Sequence, residues 1–189
     1  LVICYVGAGK GKTTAAMGMA VRAAGDGKNV FILQFVKAGN KTSEKIKEGE
    51  WPVSSEINFF DNVSYNGNIG SIENEQVGLG FVGILGDPYP KSVHIKAAEE
   101  TWTIAKKAIE SKKYQLIILD EINVAIKLGL LKISVVFSFL KKYRGIVNIM
   151  ATGRDAHNKL IDLADLVSEV KEIKHPFNKG VSARKGVEY

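Results

Sequence analysis

Residues 1–14 read LVICYVGAGKGKTT, and this short stretch decides the fold. Residues 1–6 are an apolar, β-prone run that reads as a buried strand. Gly7, Ala8, Gly9, Lys10 and Gly11 then form a glycine-rich turn, and an Ala/Met-rich helical stretch opens at Lys12. Strand, glycine loop and helix in that order make a cradle for phosphate. Glycines let the backbone curl so that several N–H groups point inward, and the helix adds the positive end of its dipole. In such a cradle Lys12 reaches phosphate as a point charge, and the hydroxyl of Thr13, followed by Thr14, is placed to hold Mg²⁺. The loop departs from the common spacing GxxxxGK[ST], because counting back from Gly11 puts Val6 where the first glycine stands. It is tighter than the common form and carries an additional lysine, Lys10. A solvated Gly/Lys turn is the competing reading, and the flanking strand and helix argue against it.

With 189 residues the chain is long enough to bury a full core, and residues 1–189 are expected to form a single nucleotide-binding domain. Hydrophobic residues at 46% and charged residues at 24% give the balance of an ordinary water-soluble protein. No apolar run approaches the roughly 20 residues that span a bilayer, and no signal peptide precedes the first strand. No membrane partner and a cytoplasmic location are therefore expected. Cys4, the only cysteine, alternates with Val2 and Val6 as a small core residue. The net charge of +6 comes from scattered lysines, mixed with acids at 42–50 and 171–174. That distribution suits solubility and attraction for polyphosphate, and nucleic acid is not an expected partner.

Strand and helix signals alternate along the chain. They predict an α/β fold with a mostly parallel central sheet flanked by helices, the three-layer architecture of P-loop (RecA-like) nucleoside triphosphatases. Strands are expected at 1–6, 29–35, 116–119, 146–150 and 166–170, and helices at 12–24, 92–112, 133–140 and 159–164. The first helix has a smooth packing face of Ala15, Ala16, Met19, Ala20 and Ala23, and Gly25 and Gly27 stop it. On the second, Val93, Ala97, Ile104 and Ala108 fall at helical spacing, and Trp102 reads as core. Residues 36–90 stand apart. Turn chemistry runs throughout them (Asn66-Gly67-Asn68, Gly78, Gly80, Gly83, Gly86-Asp87-Pro88), with only short β-like pieces such as 57–60. So long a loop-rich stretch reads as a binding region or as an insertion.

Two further strand ends carry chemistry. Residues 116–121 read LIILDE, an apolar strand ending in two carboxylates. At the carboxyl edge of a parallel sheet, Asp120 and Glu121 join Thr13 as a candidate magnesium site, direct or through water. The competing role is an acid pair capping the helix that begins at Ile122. Residues 149–154 read IMATGR and bring Arg154 to the same edge, facing a phosphate or ribose, or paired with Asp155. His94, His157 and His175 lack metal-ligand spacing, and no Ser/His/Asp order suggests acyl transfer. These residues define a magnesium–nucleoside triphosphate protein with a second pocket and leave its reaction open. A RecA-like ATPase with Glu121 activating water, and a non-catalytic nucleotide or corrinoid carrier, both remain compatible with them.

The motifs together resemble the P-loop type ATP:corrinoid adenosyltransferases. The matching pieces are GAGKGKTTAA (7–16), RAAGDGK (22–28), QFVKAG (34–39), GLGF (78–81), LIILDE, ATGR (151–154), LADLVSEV (163–170) and KHPFNKGVSARKGVEY (174–189). They follow the family's order over nearly the whole chain, and the short phosphate loop is itself a family hallmark. The resemblance implies an enzyme that transfers the 5′-deoxyadenosyl group of ATP to Co(I) of a corrinoid, forming adenosylcobalamin and releasing triphosphate. ATP and the corrinoid are then the substrates, with Mg²⁺ on Thr13, Asp120 and Glu121. Gly7, Ala8, Gly9, Lys10, Gly11, Lys12, Thr13, Thr14 and Arg154 become the nucleotide-binding residues. It also implies a homodimer and an electron donor such as a reduced flavin or flavoprotein. In this family aromatic side chains displace the lower axial ligand of cobalt, and Phe81 matches one of them. Relatives carry Thr-Trp next, where this chain has Val82-Gly83, so Phe81 is expected to act alone or with a displaced aromatic such as Tyr89. Corrinoid binding is assigned to the region around 36–90.

Overall fold

A computed structural model describes residues 1–38, 55–80, 82–83, 87–182, 184 and 186–187. Among them six strands form one sheet in the order β3-β2-β4-β5-β1-β6. The strands are β1 (Val2–Val6), β2 (Val30–Ala38), β3 (Ile72–Gly78), β4 (Leu116–Asp120), β5 (Asn148–Thr152) and β6 (Leu166–Glu169). Every neighbouring pair is parallel. Parallel pairing requires a crossover between consecutive strands, and here every crossover contains at least one helix. They are α1 (Lys12–Gly25), α2 (Ser55–Asn62), α3 (Lys91–Ser111), α4 (Ile122–Lys127), α5 (Ile133–Tyr143) and α6 (Asn158–Leu163).

Burial on both faces explains the continuous apolar runs that mark the central strands. Val30 and Ile32 of β2, Leu116 and Ile118 of β4 and Met150 of β5 pack with α1 and α2. The alternate residues Phe31, Leu33 and Phe35, Ile117 and Leu119, and Ile149 and Ala151 pack with α3, α4, α5 and α6. Helix α1 presses Ala16, Met17, Ala20 and Ala24 onto the first face, whereas Ala15 is exposed. The packing stripe is thus rotated from the expected one, because Lys12 in the first turn is drawn inward with it.

Several strand bounds differ from the sequence expectation, three of the changes extending strands at the carboxyl edge. Strand β2 runs on to Ala38, β4 to Asp120, and β5 is shifted to Asn148–Thr152. The changes carry β2 past Lys37, β4 to Asp120 and β5 to Thr152, polar residues at the sheet's carboxyl edge, where hydrogen bonding outweighs the apolar pattern of the strands. Residues 36–90 also hold more regular structure than turn chemistry suggested. The piece at 57–60 is not β-like but helical, inside α2, with Ile57 and Phe60, three residues apart, buried on one side. Residues 72–78 form the edge strand β3, whose polar sequence IENEQVG hides the signal because much of it is only half-buried. Cys4 and Trp102 lie in the core as expected, and burial lifts the Cys4 thiol to about 11.

Leu119 is fully buried at the centre of β4. Leu119→Ala should lower unfolding free energy by about 2–5 kcal/mol in urea titration, with little change in slope.

Candidate functional site

Strand β1 leads directly into Gly7–Gly11, and the loop is braced from behind by the chain leaving β6. Gly9 N–H donates to Val170 O at 2.8 Å. A Cβ on Gly9 would lie 2.7 Å from the carbonyl carbon of Lys171, and one on Gly7 would collide with Val170 O. Only glycine fits this approach. Gly11 adopts φ 108° and offers no side-chain cap to α1, so the first-turn N–H groups of that helix have neither a cap nor partners inside the helix. Lys12 is buried and folds back so that Nζ donates to Gly9 O at 2.7 Å. Burial pulls its ammonium below the ordinary lysine value, and Glu121 and Asp120 partly restore it.

The second half of the site converges on one carboxylate. Asp120 is completely buried at the end of β4. Thr13 Oγ1 donates to its Oδ1 at 3.0 Å, Thr152 Oγ1 donates to Oδ1 at 2.6 Å, and Gln34 Nε2 donates to Oδ2 at 2.9 Å. Lys37 Nζ stands 3.6 Å from Oδ2 and donates to Thr13 Oγ1 at 3.3 Å. Thr152 also accepts from Glu121 N–H at 3.0 Å, which ties the ends of β4 and β5 together. Glu121 sits at φ 62°, a left-handed conformation uncommon for a side-chain-bearing residue, and its carboxylate makes no capping bond to α4. The helix does begin at Ile122, but the acid pair is not used to cap it. Burial, and then the neighbouring Asp120 charge, hold the Glu121 carboxyl above the ordinary range against the pull of Lys37, Lys12 and Arg154. Arg154 itself is exposed, and its charge is felt at both Lys12 and Glu121.

Thr13, Asp120, Glu121, Lys12 and Arg154 are therefore gathered at one edge, whereas Phe81 lies outside the described residues. Gln34 and Lys37 join the site without having been expected there. A lone buried glutamine in the apolar run NVFILQF was the available signal, since a buried amide demands a partner. Away from the edge, the buried His94 pairs with Asp87 at 2.8 Å, and Asp87 also accepts from Gly83 and Tyr89 N–H. His157 and His175 each accept a backbone N–H at the start of a short helix. No helix of the described residues is long and apolar enough to cross a membrane.

The whole of residues 1–189 matches the family model described as ATP:corrinoid adenosyltransferase BtuR/CobO/CobP. The chain belongs to that family. It is 32% identical over 189 residues to corrinoid adenosyltransferase CobA of Salmonella typhimurium, covering 100% of this chain and 85% of that protein. A corrinoid adenosyltransferase of a Sinorhizobium species is 33% identical over 190 residues, covering 100% and 80%. The corrinoid adenosyltransferase of Pseudomonas aeruginosa is 31% identical over 189 residues, covering 100% and 83%.

The raised Glu121 carboxyl has a consequence for the ligand-free adenosyltransferase. The folded protein keeps that proton to higher pH than the unfolded chain does. Stability therefore falls as pH rises from about 4.3 through the raised folded value, and is flat above both. Glu121→Gln should melt a few degrees higher than the parent at pH 7, with the difference vanishing below about pH 4 in thermal scans.

Proposed function

We propose that this chain transfers the 5′-deoxyadenosyl group of ATP to Co(I) of a corrinoid substrate. Family membership supports the substrates, and the Thr13–Asp120 hydrogen bond carries the site reading, because it joins the phosphate-loop helix to the carboxylate edge. In the reaction Co(I) attacks C5′ of ATP, a cobalt–carbon bond forms, and the C5′–O bond breaks. The electron pair leaves with triphosphate, and cobalt is formally oxidised by two electrons to an alkyl-Co(III). The protein needs no nucleophile of its own, since the corrinoid supplies it.

Its residues have three tasks. Amides of the Gly7–Gly11 loop and first turn of α1, with Lys12 and Arg154, bind the triphosphate and stabilise its developing charge as leaving group. Gly9 is excepted, its N–H already being given to Val170. Thr13, Asp120 and Glu121 present hard oxygen donors suited to Mg²⁺, and the ammonium of Lys37 beside them speaks for a position that tolerates a cation. Among the described residues no group of three His, Cys, Asp or Glu side chains is arranged to hold an ion alone, in keeping with a metal that arrives on the nucleotide. Mg²⁺, when bound, neutralises triphosphate charge. The third task is to bring cobalt to C5′, and enforced proximity supplies much of the rate.

A cavity of about 250 Å³ lined by Val82, Gly83, Asp87, Tyr89, Lys91 and Leu128 is our candidate for part of the corrinoid-binding region. Tyr89 is half-exposed there and stacks edge-on against His94, 6.0 Å between ring centroids. With Phe81 it is our candidate for displacing the lower ligand. A reduced flavin or flavoprotein is the class of donor that would supply Co(I).

Mixing the protein with Mg-ATP and chemically reduced cobalamin without oxygen should give the alkylated corrinoid spectrum and one triphosphate per turnover. Lys12→Ala should lower kcat by about 10²–10³-fold. Steady orthophosphate release without alkylated corrinoid would instead identify an ATPase.

A further inference from the structure

Lys37 sits where an unbroken strand would not put it. Gln34 and Lys37 are three residues apart on β2, and in a regular strand they would face opposite sides of the sheet. Both nevertheless meet Asp120, Gln34 at 2.9 Å and Lys37 at 3.6 Å. The cause is a break in register. Gln34 pairs with Gln76 and Ala38 with Gly78, so four steps along β2 match two along β3. Bulges of this kind re-aim a side chain next to a site. The bulged backbone comes so close to β3 that a Cβ on Gly78 would stand 2.6 Å from Val36 C and 2.7 Å from Lys37 O. Gly80 N–H then donates to Val36 O at 2.9 Å and fixes the distortion.

The re-aimed ammonium lies between the Thr13 hydroxyl at 3.3 Å and the Asp120 carboxylate. These are the two groups assigned above to a divalent cation, and two cations do not share one such position. The Lys37 side chain is about one-third exposed, so it is free to swing outward, whereas Asp120 is fixed by Thr152 and Gln34.

We propose that Lys37 is an exchangeable counter-ion of the site. In the ligand-free protein it neutralises Asp120, and on nucleotide binding it yields that place to the incoming divalent cation and turns to the polyphosphate as a further cationic contact. This inference rests on the nucleotide-site reading of Thr13 and Asp120.

Two binding measurements on the whole protein test it, neither requiring adenosyl transfer. Mn²⁺ binding without nucleotide is followed by electron paramagnetic resonance, and tripolyphosphate binding without metal by calorimetry. Lys37→Gln should bind Mn²⁺ about tenfold more tightly than the parent and tripolyphosphate about tenfold more weakly. Lys37→Arg, keeping the charge, should stay near the parent in both. Gly78→Ala, which disturbs the bulge while keeping the lysine, should shift both affinities in the directions of Lys37→Gln and provides the test should that variant not fold. Unchanged or weaker Mn²⁺ binding in Lys37→Gln and Gly78→Ala would overturn the counter-ion role alone. A parent protein that binds no tripolyphosphate would overturn the nucleotide-site reading and this inference with it.

Discussion

A buried carboxylate that has lost all contact with water must be surrounded by donors, and at Asp120 that requirement organises the entire ligand edge. Thr13 comes from the helix behind the phosphate loop, Thr152 from the neighbouring strand, and Gln34 and Lys37 from the strand on the other side. These groups come from three different elements, so one charge at the end of β4 sets the relative position of α1, β2, β4 and β5. Removing a single donor leaves the ion less compensated in a place where compensation cannot come from solvent.

The phosphate loop is fixed by a different means. Gly7 and Gly9 lie against the backbone leaving β6, and the Gly9–Val170 hydrogen bond turns part of the loop into an extension of the sheet edge. This bracing accounts for a loop shorter than the common one. A longer loop would have to bulge away from Val170 and lose that support. Lys12 is held as well, its Nζ donating to the Gly9 carbonyl, so the loop is curled by its own contacts with its lysine tucked inside. Pre-ordering of this kind lowers the entropy lost when a polyphosphate arrives.

Much of this was legible in the chain itself. The strand–loop–helix opening, the LIILDE strand and the alternation of apolar runs specify a parallel sheet with its polar residues at one edge, because each signal is local and strong. Strand β3 was not legible, since an edge strand half-buried under polar side chains loses the period-2 pattern that betrays a strand. Residues 57–60 were misread because four residues of Ile, Asn and Phe suit a strand as well as one turn of helix, and only packing under the sheet decides between them. Lys37 could not be read at all. Its place depends on a register break permitted by a glycine forty-one positions further along the chain, and periodicity within β2 points it to the wrong face.

The central claim is that Asp120 couples the phosphate-loop helix to the sheet edge, and a double-mutant cycle on nucleotide affinity tests it most directly. Mg-ATP dissociation constants would be measured for the parent, Thr13→Ala, Asp120→Asn and the double variant, each checked for native folding. Coupling predicts that the second change costs much less once the first is present, with an interaction energy of about 1 kcal/mol or more. Additive losses, or an Asp120→Asn protein that binds Mg-ATP like the parent, would contradict the account.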